Sequence, residues 1–169
     1  VASYEKLIER GENPIRTVRE AMGLSMRRAA EKIGCHYQTV YMAEHGMCDP
    51  LFPTMLWWAV SNSEYSAVQI EAAFAEFRGR VRNATVEKYS LESLPVSALG
   101  TPGTDPLRSL RGYLGLSTSG FCKAFCVSVS VLHHAESVLF LPAAIQSTFQ
   151  EMGVPEEIVT EMLERYSLL

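Results

Sequence analysis

One segment occurs twice in this chain, 92 residues apart, and that repeat restricts the fold to architectures built from two copies of one supersecondary unit. Residues 13–46 read NPIRTVREAMGLSMRRAAEKIGCHYQTVYMAEHG, and residues 105–138 read DPLRSLRGYLGLSTSGFCKAFCVSVSVLHHAESV. They align without a gap. The identical pairs are Pro14/Pro106, Arg16/Arg108, Arg19/Arg111, Gly23/Gly115, Leu24/Leu116, Ser25/Ser117, Ala43/Ala135 and Glu44/Glu136. Average composition would give unrelated segments of this length roughly two identities. Most remaining pairs exchange like for like, as in Ile15/Leu107, Val18/Leu110, Met22/Leu114, Ile33/Phe125 and Val40/Leu132.

The repeat carries helical punctuation at matching positions. Asn13-Pro14 and Asp105-Pro106 each read as an N-cap followed by proline at the first helical position, where a missing N–H costs nothing. Gly23 and Gly115 suit the left-handed residue after a helix. Ser25 and Ser117 can cap a second helix over 26–33 and 118–125. Gly34 ends it in the first copy. A third helix is predicted over 37–45 and 129–137, capped well by Ser128 and less well by His36. Each copy continues into a helix opened by Pro53 or Pro142. A last helix then runs from about residue 63 through Ile70, Phe74 and Phe77 in one copy, and from Pro155 through Ile158, Met162 and Tyr166 in the other. A further helix is predicted over 2–10. VSVSVLHH alternates like a strand, but its place in the repeat makes it helical. The expected fold is all-α, with a first domain over 1–93, a Pro/Gly-rich linker over 94–104 and a second domain over 105–169.

A chain of 169 residues that is 47% hydrophobic and 20% charged has the balance of an ordinary globular protein. No apolar run approaches the roughly 18 residues of a membrane span. The start, VASYEKLIERG, carries charges where a signal peptide needs its apolar stretch, so a cytoplasmic location is expected. Cys35, Cys48, Cys122 and Cys126 lack a framework spacing and read as reduced thiols. The net charge of −4 argues against nucleic-acid binding, but its distribution matters more than its sum. Residues 13–46 hold five basic and three acidic side chains, and residues 78–82, RGRVR, add three arginines. The last 19 residues hold five glutamates and one arginine.

The order short helix, Gly-Leu-Ser, helix, turn, Thr-Val-x-x-x-Glu-x-Gly resembles the lambda-repressor-like helix-turn-helix family of the Cro/C1 type. In the first copy the match covers Arg19, Gly23-Leu24-Ser25, Ala30, Ile33-Gly34, Thr39-Val40, and Glu44 and Gly46. The second copy keeps Arg111, Gly115-Leu116-Ser117, Leu132 and Ala135-Glu136. It departs at Cys126 and Val138, where glycines would stand. The tandem arrangement also resembles that of immunity repressors of some temperate actinobacteriophages. The resemblance implies two five-helix bundles, each with its third helix in a DNA major groove. It also implies that Arg19–Glu44 and Arg111–Glu136 are structural ion pairs tying the first helix to the end of the third.

On the third helix of the first copy, His36, Tyr37, Gln38, Thr39, Tyr41 and Met42 are the candidate DNA-reading residues, with Val40 and Ala43 facing inward. Gln38 can pair in two places with adenine, and Tyr41 or Met42 can pack on a thymine methyl; the bland alternative for these two is packing on a neighbouring helix. Arg27 and Arg28 open the second helix, where basic groups and free N–H groups hold phosphates, or else they line a solvated face. The second copy offers Ser128, Val129, Ser130, His133 and His134, with Lys123 and Arg108 as nearby positive charge. Its set Phe121, Phe125, Leu132, Leu139 and Phe140 reads as core. Arg78-Gly79-Arg80 could enter a minor groove, with Arg80 the candidate contact, or form a solvated helix end. Neither Cys122/Cys126 with His133-His134 nor Cys35/His45/Cys48 has the spacing of a zinc module, so no metal is expected. No cofactor, small-molecule ligand, membrane partner or enzymatic motif is expected either.

These residues point to a sequence-specific regulator of double-stranded DNA, of the repressor kind. It would read an asymmetric site as a monomer, with half-sites roughly 34 Å apart. The alternative keeps DNA binding in the first domain and gives the second to a protein partner, such as another repressor copy or RNA polymerase. A third reading is an antitoxin-like bundle that binds protein alone.

Overall fold

The computed structural model describes residues 4–169, with side chains from Leu7 onward. Residues 2 and 3 of the first expected helix lie outside the described residues. The chain is all-α: eleven α-helices and two short 3-10 helices, with no strand among the described residues. None of these helices is long and apolar enough to cross a membrane. The chain divides into two compact units, Val1–Arg80 and Val81–Leu169.

The first unit contains α1 (Tyr4–Arg10), α2 (Pro14–Ala21), α3 (Met26–Ile33), α4 (Tyr37–Glu44) and α5 (Pro53–Ser61), together with the beginning of α6 (Ala67–Tyr89). Asn13 caps α2: its side-chain oxygen accepts from the N–H groups of Ile15 (2.9 Å) and Arg16 (3.2 Å). Ser25 caps α3 by accepting from the Arg28 N–H at 3.2 Å. Gly34, at φ 78°, ends α3 in the left-handed conformation and returns its N–H to the Ala30 carbonyl. The core gathers Leu7, Ile15, Val18, Val40, Met55, Ile70 and Phe74, all nearly or fully inaccessible. Removing each such large side chain from water is worth about 1.5–3 kcal/mol.

The second unit begins within α6 and continues through the 3-10 helices Leu91–Ser93 and Val96–Leu99. It then adds α7 (Pro106–Tyr113), α8 (Thr118–Phe125), α9 (Val129–Val138), α10 (Ala143–Glu151) and α11 (Glu156–Ser167). The stretch 94–104, expected as a linker, lies inside this unit. Leu94, Ala98 and Leu99 are buried, and Arg165 donates to the carbonyls of Leu99 (3.1 Å) and Gly100 (2.8 Å). Apolar spacing within the stretch was too short to register as a helix, although it anchors the start of the unit. Three aromatic rings fill the centre: Phe121 stacks on Phe125 at 4.2 Å, and Phe149 meets both edge-on. Phe121, Phe125 and Leu132 are core as expected, whereas Leu139 and Phe140 are exposed.

Candidate functional site

In the first unit, α3 and α4 pack against each other across a turn of three residues. The turn closes on His36, whose Nδ1 accepts the Gln38 N–H at 3.2 Å, so the imidazole supplies the cap that serine or aspartate commonly gives. Helix α4 buries Val40 and Ala43 completely. Tyr37 and Gln38 are exposed at its start, while Thr39, Tyr41 and Met42 are half-buried. Tyr41 packs its ring 4.2 Å from that of His45, and His45 Nδ1 lies 2.8 Å from the Tyr41 carbonyl. Tyr37 lies 6.4 Å from Tyr41, making a row of rings at i, i+4 and i+8 along α4. Arg27 and Arg28 are exposed on the first turn of α3 and form no ion pair among the described residues.

The end of α4 is held from several directions. Arg19 meets the Glu44 carboxylate with two nitrogens, Nε on Oε1 and Nη2 on Oε2, the latter at 3.0 Å. Its third nitrogen, Nη1, donates to the Leu24 carbonyl at 2.7 Å. The hydrogen bond to Glu44 is the main reason the Arg19 pKa is raised. Arg16 Nε adds a weaker contact to Glu44 at 3.4 Å. Asn13 uses its free amide to donate to the Ala43 carbonyl at 2.9 Å. Arg78, reaching over from α6, donates from Nε to the Gly46 carbonyl at 3.0 Å and pairs with Asp49 at 3.0 Å. Asn13 and Arg78 were missed as parts of this frame. The sequence pattern marks Asn13 only as a cap, and Arg78 only as part of a minor-groove arm or a solvated helix end.

The second unit repeats the frame with losses. Arg111 holds Glu136 at 3.0 and 3.4 Å, and its Nη1 donates to the Leu116 carbonyl at 3.2 Å. Cys126 occupies the place of Gly34 and takes the same left-handed backbone, at φ 54°. Helix α9 runs on through Val138, and Leu139 takes the left-handed position at φ 58°. Asp105, where the first unit has Asn13, cannot donate an amide. Its Oδ1 accepts instead from the Tyr166 hydroxyl at 2.6 Å, and the shielded Oδ2 has no partner among the described residues. On α9, Ser130, His133 and His134 are exposed and Val129 is half-buried. Ser128 caps the helix on the Val131 N–H at 3.2 Å. His134 sits edge-on to Phe140 at 5.3 Å. Lys123 is half-buried, and Arg108 lies 3.8 Å from Glu136.

Arg80 is committed within the protein: Nη2 donates to the Ile8 carbonyl at 3.1 Å, Nε pairs with Glu76 at 3.3 Å, and its stem crosses Gly11. Arg82 donates to the Phe125 carbonyl at 3.0 Å and pairs with Glu151 at 2.7 Å. Cys48, Cys122 and Cys126 are buried, and Cys35 is half-buried. No three His, Cys, Asp or Glu side chains among the described residues converge as metal ligands.

No protein-family model, curated protein or solved structure matches this chain. The candidate surface is therefore defined by its own chemistry: two unpaired arginines on α3, and an exposed tyrosine and glutamine on α4. Anions suit the first, because the free N–H groups and positive end of a helix add to the two guanidinium charges. The second offers a flat ring and a carboxamide with one donor group and one acceptor.

Proposed function

We propose that this chain is a sequence-specific double-stranded DNA-binding regulator, a repressor of the lambda-repressor-like helix-turn-helix type with two unequal domains. The observation that carries this reading is the pairing of exposed, unpaired Arg27 and Arg28 on α3 with exposed Tyr37 and Gln38 on the adjoining α4. Guanidinium groups at a helix start bind phosphates without regard to sequence. A carboxamide such as that of Gln38 pairs with adenine N6 and N7, and that pairing supplies base selectivity. The duplicated Arg–Glu tie and the paired left-handed turns at Gly34 and Cys126 support a second copy of the same motif in the second unit.

Two readers on one chain need no partner copy. Linkage raises the effective concentration of the second for its half-site. The exposed residues of α4 and α9 differ, so the site read would be asymmetric and the binding species a monomer. Repression then follows from occupying a promoter. Footprinting on the DNA that flanks the gene tests this, with stoichiometry measured on the protected fragment. Protection of one asymmetric site by a single chain is expected, and Gln38→Ala should weaken it selectively. No protection at any sequence, or a palindrome bound only by dimers, rejects the proposal.

One observation favours a second reading for the second unit. Val138, Leu139 and Phe140 are 58%, 38% and 37% exposed directly after α9, and α8 opens with Thr118-Ser119-Gly120 where α3 has arginines. A surface poor in charge and rich in exposed apolar side chains suits protein association better than phosphate. Under this reading, substituting Val129, Ser130 and His133 leaves the footprint intact and alters association with another copy or with polymerase.

A further inference from the structure

We infer that Arg78 is a positioning residue, which fixes the pose of α4 and thereby the sequence discrimination of the first unit, without touching DNA. The inference rests on the DNA-reading role proposed above.

Helix α4 is eight residues long, or about 12 Å. Tyr37 and Gln38 stand at one end, where the only side-chain tie described above is the His36 cap, and the ties to Ala43, Glu44 and Gly46 stand at the other. A tilt of about 10° at the anchored end displaces the reading end by about 2 Å, more than a hydrogen bond tolerates. Anchoring therefore has to be stiff in more than one direction. Asn13 and Arg19 hold Ala43 and Glu44, and both belong to α2 and its cap. Arg16 adds a third tie from the same helix, so beyond its apolar packing on α2 and α3 these polar ties all reach α4 from one side. Arg78 supplies the attachment from a different element, and supplies it further along, at the Gly46 carbonyl.

The geometry also argues against Arg78 as a DNA ligand. The residue is only 8% exposed. Its Nε is on Gly46, its Nη1 is on Asp49, and its guanidinium lies 6.0 Å from the centre of the Phe74 ring. A side chain reaching for phosphate would leave that packing and strand the Gly46 carbonyl. The second unit gives a contrast. There α6 sends Arg82 to the Phe125 carbonyl at the end of α8, and the end of α9 runs into exposed Val138, Leu139 and Phe140. The two units thus anchor different helices through α6, and only in the first is the anchored helix the one that carries the exposed glutamine.

Arg78→Lys keeps the charge and the stem, but a single ammonium group cannot reproduce the planar fork that spans Gly46 and Asp49. Arg78→Met removes the charge as well. Each full-length variant is compared with the wild type in three measurements. These are amide exchange over residues 37–47, affinity for the best duplex the wild type selects from a random pool against a scrambled duplex, and the salt dependence of both affinities. For Arg78→Lys the expected result is faster exchange in 40–47 and a specific-to-scrambled affinity ratio lowered about tenfold or more. Affinity for the scrambled duplex and its salt slope should stay at wild-type values.

An unchanged ratio in the folded variant overturns the inference. So does a salt slope reduced by about one, which marks Arg78 as a phosphate ligand. Unfolding of both variants also overturns it, since the side chain would then hold the unit together and not aim one helix. Failure of the wild type to select any sequence rejects the DNA-reading role itself. The exchange measurement, which involves no DNA, keeps that failure distinct from a failure of Arg78 to hold α4.

Discussion

Asp105 and Asn13 differ by one atom type, and the difference decides whether a buried polar group is satisfied. Asn13 caps α2 with its oxygen and donates its amide to the Ala43 carbonyl. Asp105 caps α7 equally well but leaves Oδ2 buried without a partner. Asp105→Asn keeps the oxygen that accepts from Tyr166 and replaces the unpartnered, shielded Oδ2 by an uncharged amide, the group that in the first unit donates to a helix-end carbonyl. The expected gain is about 1 kcal/mol in the unfolding free energy of the second unit, read by urea denaturation. A second residue-scale effect concerns Cys122, whose thiol is pushed up to about 12 chiefly by burial, with Glu136 adding to the shift. Its ordinary value is 9.0, so the unfolded chain releases the proton before the folded one does. Stability is whole below pH about 9 and falls as pH rises from there toward about 12. Tyr166, raised by burial and by its bond to Asp105, acts in the same direction. Melting temperatures across pH 8–11 should therefore decline, and less steeply for Cys122→Ala. Left-handed Cys126 and Leu139 were not readable beforehand, because that backbone leaves a signature only where glycine occupies it. A non-glycine residue there costs about 1–2 kcal/mol, which the burial of Cys126 helps to offset.

Among the helices, the ion pairs set the geometry. Glu44 has 1% of its side chain exposed and Arg19 has 12%, against 7% and 18% for Glu136 and Arg111. Removing one partner leaves the other buried and uncompensated, at a cost of about 3–5 kcal/mol. Glu44→Ala is expected within that range, and Glu136→Ala at its lower edge, because its bonds are longer and wetter. Denaturation followed by helical circular dichroism orders the two. Caps, prolines and glycines made most helix starts legible: α2, α3, α7 and α8 begin where Asn13, Ser25, Asp105 and Ser117 indicated. Helix α6 was less legible. Its apolar spacing fades after Phe77, where Arg78, Arg82 and Thr85 take over the inward positions. Their polar ends are satisfied by the carbonyls of Gly46, Phe125 and Ala124, so a buried face reads as a charged one. Tyr41 and Met42 were similarly split. Helical spacing places them outward, yet both are half-buried.

At the scale of the whole molecule, a net charge of −4 coexists with a local excess of positive charge in the first repeat. Arg27 and Arg28 have no basic counterpart in the second copy, where Ser119 and Gly120 stand. Phosphate binding by the first unit should then dominate the salt dependence of any DNA complex. Replacing both Arg27 and Arg28 by alanine is expected to flatten the slope of log affinity against log salt by about two units, for specific and scrambled duplexes alike. Fluorescence titration at several salt concentrations measures it. Substituting Ser130 and His133 should leave that slope unchanged, as neither is an arginine or a lysine.

Cys35 sits in the turn between α3 and α4, one residue before the His36 cap, and is the only one of the four cysteines with appreciable exposure. Burial raises its thiol pKa, which slows it at neutral pH without closing it off. A maleimide dye at mildly alkaline pH should therefore modify this position first, as peptide mass spectrometry would show. The protein thus comes with a native attachment point beside its candidate reading helix. An environment-sensitive label there would report occupancy of that surface in the unmutated chain.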